Sequence, residues 1–152
     1  MIPSERDKLT RNILKHYQAI KREVEEADEE AEASQYPRAG GSRVKSSNIS
    51  NPSARGAEIL LSVARKRAWI TAIDCAMAEL ERYEPESALI LRWHFRLDKL
   101  KGYKREYARK SRRVICEHQH ISTAQYYNLL DSAISTVKFW AADAGLFKKA
   151  IF

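Results

Sequence analysis

The sequence predicts an all-α protein, and three observations carry that prediction. Apolar residues recur at alternating spacings of three and four over two long stretches, no stretch of any length alternates with a period of two, and Pro or Gly punctuates the helical patterns at Pro37, Gly40-Gly41, Pro85, Gly102 and Gly145. The expected architecture is a pair of long N-terminal helices, forming a helical hairpin or a coiled coil, followed by a C-terminal helix-turn-helix domain. The corresponding divisions are an acidic heptad-like helix over 1–33, a flexible linker over 34–51, and a helical domain over 52–152 with its helix-turn-helix at 104–142.

The first helix is expected to open at Ser4, which can cap it, with Asp7 in the capping-box position. Ile13, Tyr17, Ile20, Val24, Ala27 and Ala31 then form a coiled-coil stripe that weakens towards its alanine end. Seven of the ten residues from Glu23 to Glu32 are acidic and mostly fall off that stripe, as a solvated face does. In the linker, Pro37, the Gly40-Gly41 pair and five serines break any helical pattern. Asn51 and Pro52 make a clean start for the second helix, because the missing N–H of a first-turn proline costs nothing. Its stripe is Ile59, Val63, Ile70, Ile73, Met77 and Leu80, interrupted once by Lys66. The two striped helices suit pairing with each other or with a second copy. Pro85 opens a shorter helix carrying Leu89, Ile90, Trp93 and Leu97, and Gly102 ends it. A fourth helix puts Tyr103, Tyr107, Ser111, Val114, Ile115 and His118 on one side. The last long helix runs from Ser122 to about Ala142, where Gly145 stops it. The apolar tail of Leu146, Phe147, Ile151 and Phe152 is expected to pack on the domain.

Charge narrows the function class. Among 152 residues, 27 are basic and 20 acidic, a formal net charge of +7. The excess is not uniform: residues 1–36 carry a net −3, 37–91 a net +2, and 92–152 a net +8. Ten cations crowd into 92–113, namely Arg92, Arg96, Lys99, Lys101, Lys104, Arg105, Arg109, Lys110, Arg112 and Arg113, opposed only by Asp98 and Glu106. A basic block of this density suits a polyanion, and nucleic acid is the commonest one. A solvated face that only keeps the protein in solution is the plainer explanation of the same residues. No run of 18 apolar residues is present, so no membrane span is expected. The charged start from Glu5 onward and two cysteines, Cys75 and Cys116, fit a cytoplasmic protein with free thiols.

The stretch Val114–Val137 carries the functional expectation. A helix-turn-helix needs a small residue where its second helix crosses above the first, and Cys116 supplies it. The chain must then turn through a left-handed residue. Gly is usual there; His120 stands instead, one of the few other residue types enriched in that conformation. Ile115, Ile121, Tyr126 and Leu129 should point inward, Ala133 and Val137 should continue the buried side, and Ser122 should cap the second helix. Gln119 takes a place where an apolar residue is usual. A plain loop between two core helices is the alternative reading of Cys116–His120.

On these residues the chain resembles the RinA/ArpU-type regulators of phage late genes, whose C-terminal part is similar to region 4 of sigma factors. Ile115-Cys116 and Ile121-Ser122 take the places of that group's signature, followed by the aromatic pair Tyr126-Tyr127. The layout is similar over nearly the whole chain: an acidic first helix, a GG-containing linker, an Asn-Pro-Ser start to the second helix and an LRWHF stretch. Cys116 for Ala, His120 for Gly and the basic stretch 99–113 depart from the pattern. The resemblance implies a transcriptional activator acting near a phage or prophage promoter.

The expected mechanism divides the labour. The ten cations of 92–113, with Tyr127, grip phosphates of double-stranded DNA. The N-terminal turn of the last long helix enters the major groove, where Thr123, Ala124, Gln125 and Asn128 meet base edges. The striped helices space two half-sites in a homodimer or hold RNA polymerase. Two other readings remain: a small-terminase-like DNA-packaging recognition subunit, and a helical adaptor that does not touch DNA. No enzyme and no cofactor is expected, since there is no nucleophile elbow, phosphate-binding loop or HExxH. Cys116, His118 and His120 do not make a metal site on a helix, because residues two apart point about 200° away from each other. His16 and His94 read as surface or core-edge residues.

Overall fold

The structure is a computed structural model that describes residues 1–35, 52–97 and 112–148. Its described residues form seven helices and no strand: α1 (Pro3–Lys15), α2 (Tyr17–Gln35), α3 (Pro52–Ser62), α4 (Ala64–Tyr83), α5 (Pro85–Phe95), α6 (Arg112–Gln119) and α7 (Thr123–Asp143). The all-α expectation holds.

Each long N-terminal stripe folds as two helices rather than one. The first breaks at His16, whose φ of −104° and ψ of 13° leave the helical range. The second breaks at Val63, with φ −109° and ψ 4°. The breaks re-aim the chain so that one stripe serves two surfaces. Before His16, Thr10 and Leu14 are fully buried; after it, Tyr17, Ile20, Val24, Ala27 and Ala31 are buried as the spacing predicts. Thr10 escapes a hydropathy reading because its hydroxyl donates to the Arg6 carbonyl one turn back, at 2.7 Å, and so enters the core satisfied. The start differs too. Helix α1 begins at Pro3, and Glu5, not Asp7, reaches back to the Ile2 N–H at 3.3 Å. Asp7 is used elsewhere, accepting from Arg11 at 2.8 Å and from Lys138 of α7 at 3.3 Å.

One main core gathers Leu14, Tyr17 and Ile20 with Ile73 and Leu80 of α4, Ile90 and Leu91 of α5, Ile115 of α6 and Tyr126, Leu130, Ile134 and Val137 of α7. The first helices are therefore part of the body that carries the C-terminal unit. A second cluster joins Trp69 and Ala72 to Ala141, Leu146 and Phe147. Within it Phe147 meets the Trp69 ring edge-on at 5.7 Å. The described part of the apolar tail packs as expected, while Ile151 and Phe152 lie outside the described residues. Trp69 falls between two stripe positions and was not legible as core.

A third, smaller cluster pairs α2 with α3 and the break beside it through Val24, Ala27, Val63 and Ile59. The two stripes thus meet within the chain. Alanine on α2 lets the helices approach closely, and the rim is closed by ion pairs of Lys66 with Glu23 and of Arg67 with Asp28. Lys66, the interruption in the stripe, is one of the two cations that this rim uses.

Candidate nucleic-acid interface

Helix α6 is short, with Ile115 and Cys116 buried and its other residues at the surface or half-buried. It ends in a Schellman turn. The Ile121 N–H donates to the Cys116 carbonyl at 3.0 Å and the His120 N–H to that of Glu117 at 3.4 Å. His120, the residue between, has φ +55°. Ile121 then folds back against the main core beside Ile115 and Cys116. Cys116 itself is 8% exposed, with its thiol 3.9 Å from the Ser122 carbonyl.

Ser122 opens α7 with a complete capping box. Its hydroxyl accepts from the Gln125 N–H at 3.1 Å, and the Gln125 side-chain oxygen accepts from the Ser122 N–H at 2.8 Å. Tyr126, Leu130, Ala133, Ile134, Val137 and Ala141 then make the buried face. Leu130 rather than Leu129 lies at its centre; Leu129 is half-buried at the edge. The Tyr126 hydroxyl meets Nδ1 of His94, on α5, at 2.6 Å. Burial, with smaller contributions from Cys116 and Tyr127, pushes the Tyr126 phenol up to about 12. Much of His94 is open to solvent, but its ring packs on Phe95 and Tyr126. Burial there, reinforced by the nearby charges of Arg11 and Lys15, lowers its pKa. Ion pairs tie α7 to α1 as well, through Arg11 with Asp131 at 3.0 Å and Lys138 with Asp7.

The outer side of this unit holds several of the expected site residues. Thr123, Ala124, Gln125 and Asn128 are all exposed over the first two turns of α7. Gln125 has a prior engagement, since a bidentate contact with adenine needs the same oxygen that closes the capping box. Tyr127 is 42% exposed and points away from the core that holds Tyr126. Its hydroxyl accepts from Arg112 at 2.6 Å, and the Arg112 guanidinium stacks over its ring at 5.3 Å. Arg113 extends into solvent with Glu117 at 3.3 Å. Arg112, Arg113, Cys116, Glu117, His120, Ile121, Ser122 and Thr123 line an open concavity where α6 meets α7.

The remaining cations divide. Arg92 pairs with Glu81 of α4, beside a different groove that includes Tyr17 and Asp74, so it is engaged away from α6. Arg96 is exposed, and its φ of +53° makes it the left-handed residue that ends α5. Lys99, Lys101, Lys104, Arg105, Arg109 and Lys110 lie outside the described residues. Cys116, His118 and His120 do not converge: the thiol faces the Ser122 carbonyl, the His118 ring stands edge-on to Trp93 at 5.8 Å, and His120 is exposed at the turn. Reading by helix face alone missed His94 as the polar anchor of Tyr126, because no spacing rule links α5 to α7. The Arg113–Glu117 pair was legible as an i,i+4 spacing.

No protein-family model matches the chain, and neither a curated protein nor a solved structure matches it. Among the described residues no helix is long and apolar enough to cross a membrane.

Proposed function

We propose that this chain is a sequence-specific double-stranded DNA-binding transcription regulator, of the phage late-gene activator kind that its motif resembles. One observation carries the reading: a short helix and a long one are locked by a tight turn, with polar side chains exposed over the first turns of the long helix and arginines beside them. Thr123, Ala124 and Asn128 are free to meet base edges, Asn128 favouring adenine and Ala124 a thymine methyl. Gln125 holds the helix start in shape and reads a base only when its cap opens. Arg112 and Arg113 take backbone phosphates, assisted by the cations of 99–110, and supply affinity without sequence information. The acidic outer face of α2 is repelled by DNA, so the α2–α3 pair is the surface offered to RNA polymerase or to a second copy in a cytoplasmic complex.

Fluorescence anisotropy with a random-sequence duplex tests the reading. Affinity is expected to fall by orders of magnitude between about 50 and 200 mM salt. A footprint on the DNA flanking the protein's own gene should then locate the preferred site. A weak, salt-independent response leaves the helical-adaptor reading in its place.

A further inference from the structure

Tyr127 and Arg112 deserve separate roles, although a sequence reading gives both to the phosphate backbone. The two side chains are joined twice, by the hydrogen bond at 2.6 Å and by the guanidinium stacked over the ring at 5.3 Å. They come from different helices, Arg112 from the first residue of α6 and Tyr127 from the second turn of α7. Both are exposed, so the contact adds little to the stability of the core. Arginine loses much rotamer freedom when held in one place, and a bare surface position gives no return for that loss. Among the described residues no carboxylate neutralises Arg112, whereas Arg113, its neighbour, has Glu117.

We infer that Tyr127 is a positioning residue that pre-orders the Arg112 guanidinium to receive a DNA backbone phosphate at the junction of α6 and α7. The inference rests on the DNA-binding reading above. The tyrosine hydroxyl accepts one guanidinium N–H, and the guanidinium carbon lies 5.3 Å from the ring centroid, within cation–π range, leaving the other N–H groups for a phosphate oxygen pair. Arg112 thereby meets its phosphate without ordering itself at the moment of binding, which is the source of the gain in affinity. The same contact couples the phosphate to the base-reading turn, since Tyr127 is one residue from Asn128. Tyr127 contributes no charge of its own to the interface.

That last point separates positioning from direct contact. Each cation that neutralises a phosphate adds about 0.9 to the slope of log affinity against log salt. Anisotropy titrations of the full chain on one random-sequence duplex, at several salt concentrations, read both the affinity and the slope. Arg112→Ala should weaken binding and lower the slope by about 0.9. Tyr127→Phe keeps the stacking ring and removes the hydroxyl; it should weaken binding about three- to tenfold, the worth of one hydrogen bond, at unchanged slope. In the Arg112→Ala background the Tyr127→Phe loss should vanish, because the group it positions is gone. Arg112→Lys should keep the slope while losing affinity, since a lysine carries the charge but not the planar fork. Thermal melting of each variant should match the parent, as expected for an exposed pair.

The inference is overturned if Tyr127→Phe has no effect, if it lowers the slope, if its loss persists undiminished without Arg112, or if it lowers the melting temperature in proportion to the lost affinity. Failure of the parent chain to bind the duplex in a salt-dependent way has a different meaning. It removes the DNA-binding reading itself, and the role of this pair with it.

Discussion

Among the described residues the α2–α3 and α6–α7 pairs treat their outer cations differently. The α2–α3 pair is held by a thin seam of Val24, Ala27, Val63 and Ile59, and it spends its nearby cations on its own acids, Lys66 on Glu23 and Arg67 on Asp28. The α6–α7 pair is rooted in the main core through Ile115, Tyr126 and Leu130. Of its two outer arginines, Arg113 pairs with Glu117 and Arg112 rests on an uncharged tyrosine. On the DNA-binding reading, Arg112, which no carboxylate among the described residues meets, is the cation left for a phosphate. On that reading this difference also assigns base contacts to α7 rather than to the more acidic α2.

The largest effect is expected at the root of α7. Tyr126 is 1% exposed and Tyr127 is 42% exposed. Tyr126→Ala should cost about 3–5 kcal/mol of stability, the range for a buried aromatic truncated to alanine. Tyr127→Ala should cost under about 0.5 kcal/mol, as surface substitutions do. Denaturant midpoints of the two variants check the difference. Equal losses would mean that the outer face of α7 is structural and not free for DNA.

A smaller effect concerns the turn. Three helices end in the same left-handed way, at Arg96, His120 and Gly145, but only the last is a glycine. A non-glycine residue held there costs about 1–2 kcal/mol. His120→Gly should therefore stabilise the fold by up to about 1 kcal/mol, after the extra chain entropy of glycine is deducted. Gly145→Ala should do the reverse. Its φ is +73° and the nearest atom to an added Cβ is a lysine methylene at 4.0 Å, so conformation rather than crowding sets the cost. Should His120→Gly weaken DNA binding while raising the melting temperature, the histidine is kept for its side chain beside the concavity and not for its backbone.

These cases also show what the residues disclosed in advance. The left-handed turn was legible because Cys116, His120, Ile121 and Ser122 each constrain the same few bonds. The inward face of Tyr126 followed from setting the helix-turn-helix pattern on Cys116 and Ser122, a register that also put Leu129 inward where the structure has Leu130. The breaks at His16 and Val63 were not legible: neither is a Pro or Gly, and both arise because one stripe has to meet two partners. Arg92 looked like a member of the basic block by its place in the chain, yet Glu81, eleven residues upstream on another helix, takes it. Gln125 looked free because a capping box and a base contact call for the same residue type. Local chemistry is written in short spacings; the choice between competing partners is made by packing.

The smallest effect is a pH dependence. The pKa of His94 is lowered below its ordinary value of 6.5 by burial and by Arg11 and Lys15. The unfolded chain therefore binds this proton more readily than the folded one. The contribution is fully present above about pH 6.5 and is lost as the pH falls from there through the lowered folded value. The melting temperature should decline over that window, and His94→Gln should flatten the decline. An unchanged profile would show that the link between α5 and Tyr126 does not depend on a neutral imidazole.

Amide hydrogen exchange with and without a duplex reads both helix pairs in one experiment. Adding DNA should slow exchange across 112–130 and leave 17–33 and 54–62 unchanged. Slowed exchange in α2 and α3, with α6 and the first turns of α7 unaffected, would contradict the account.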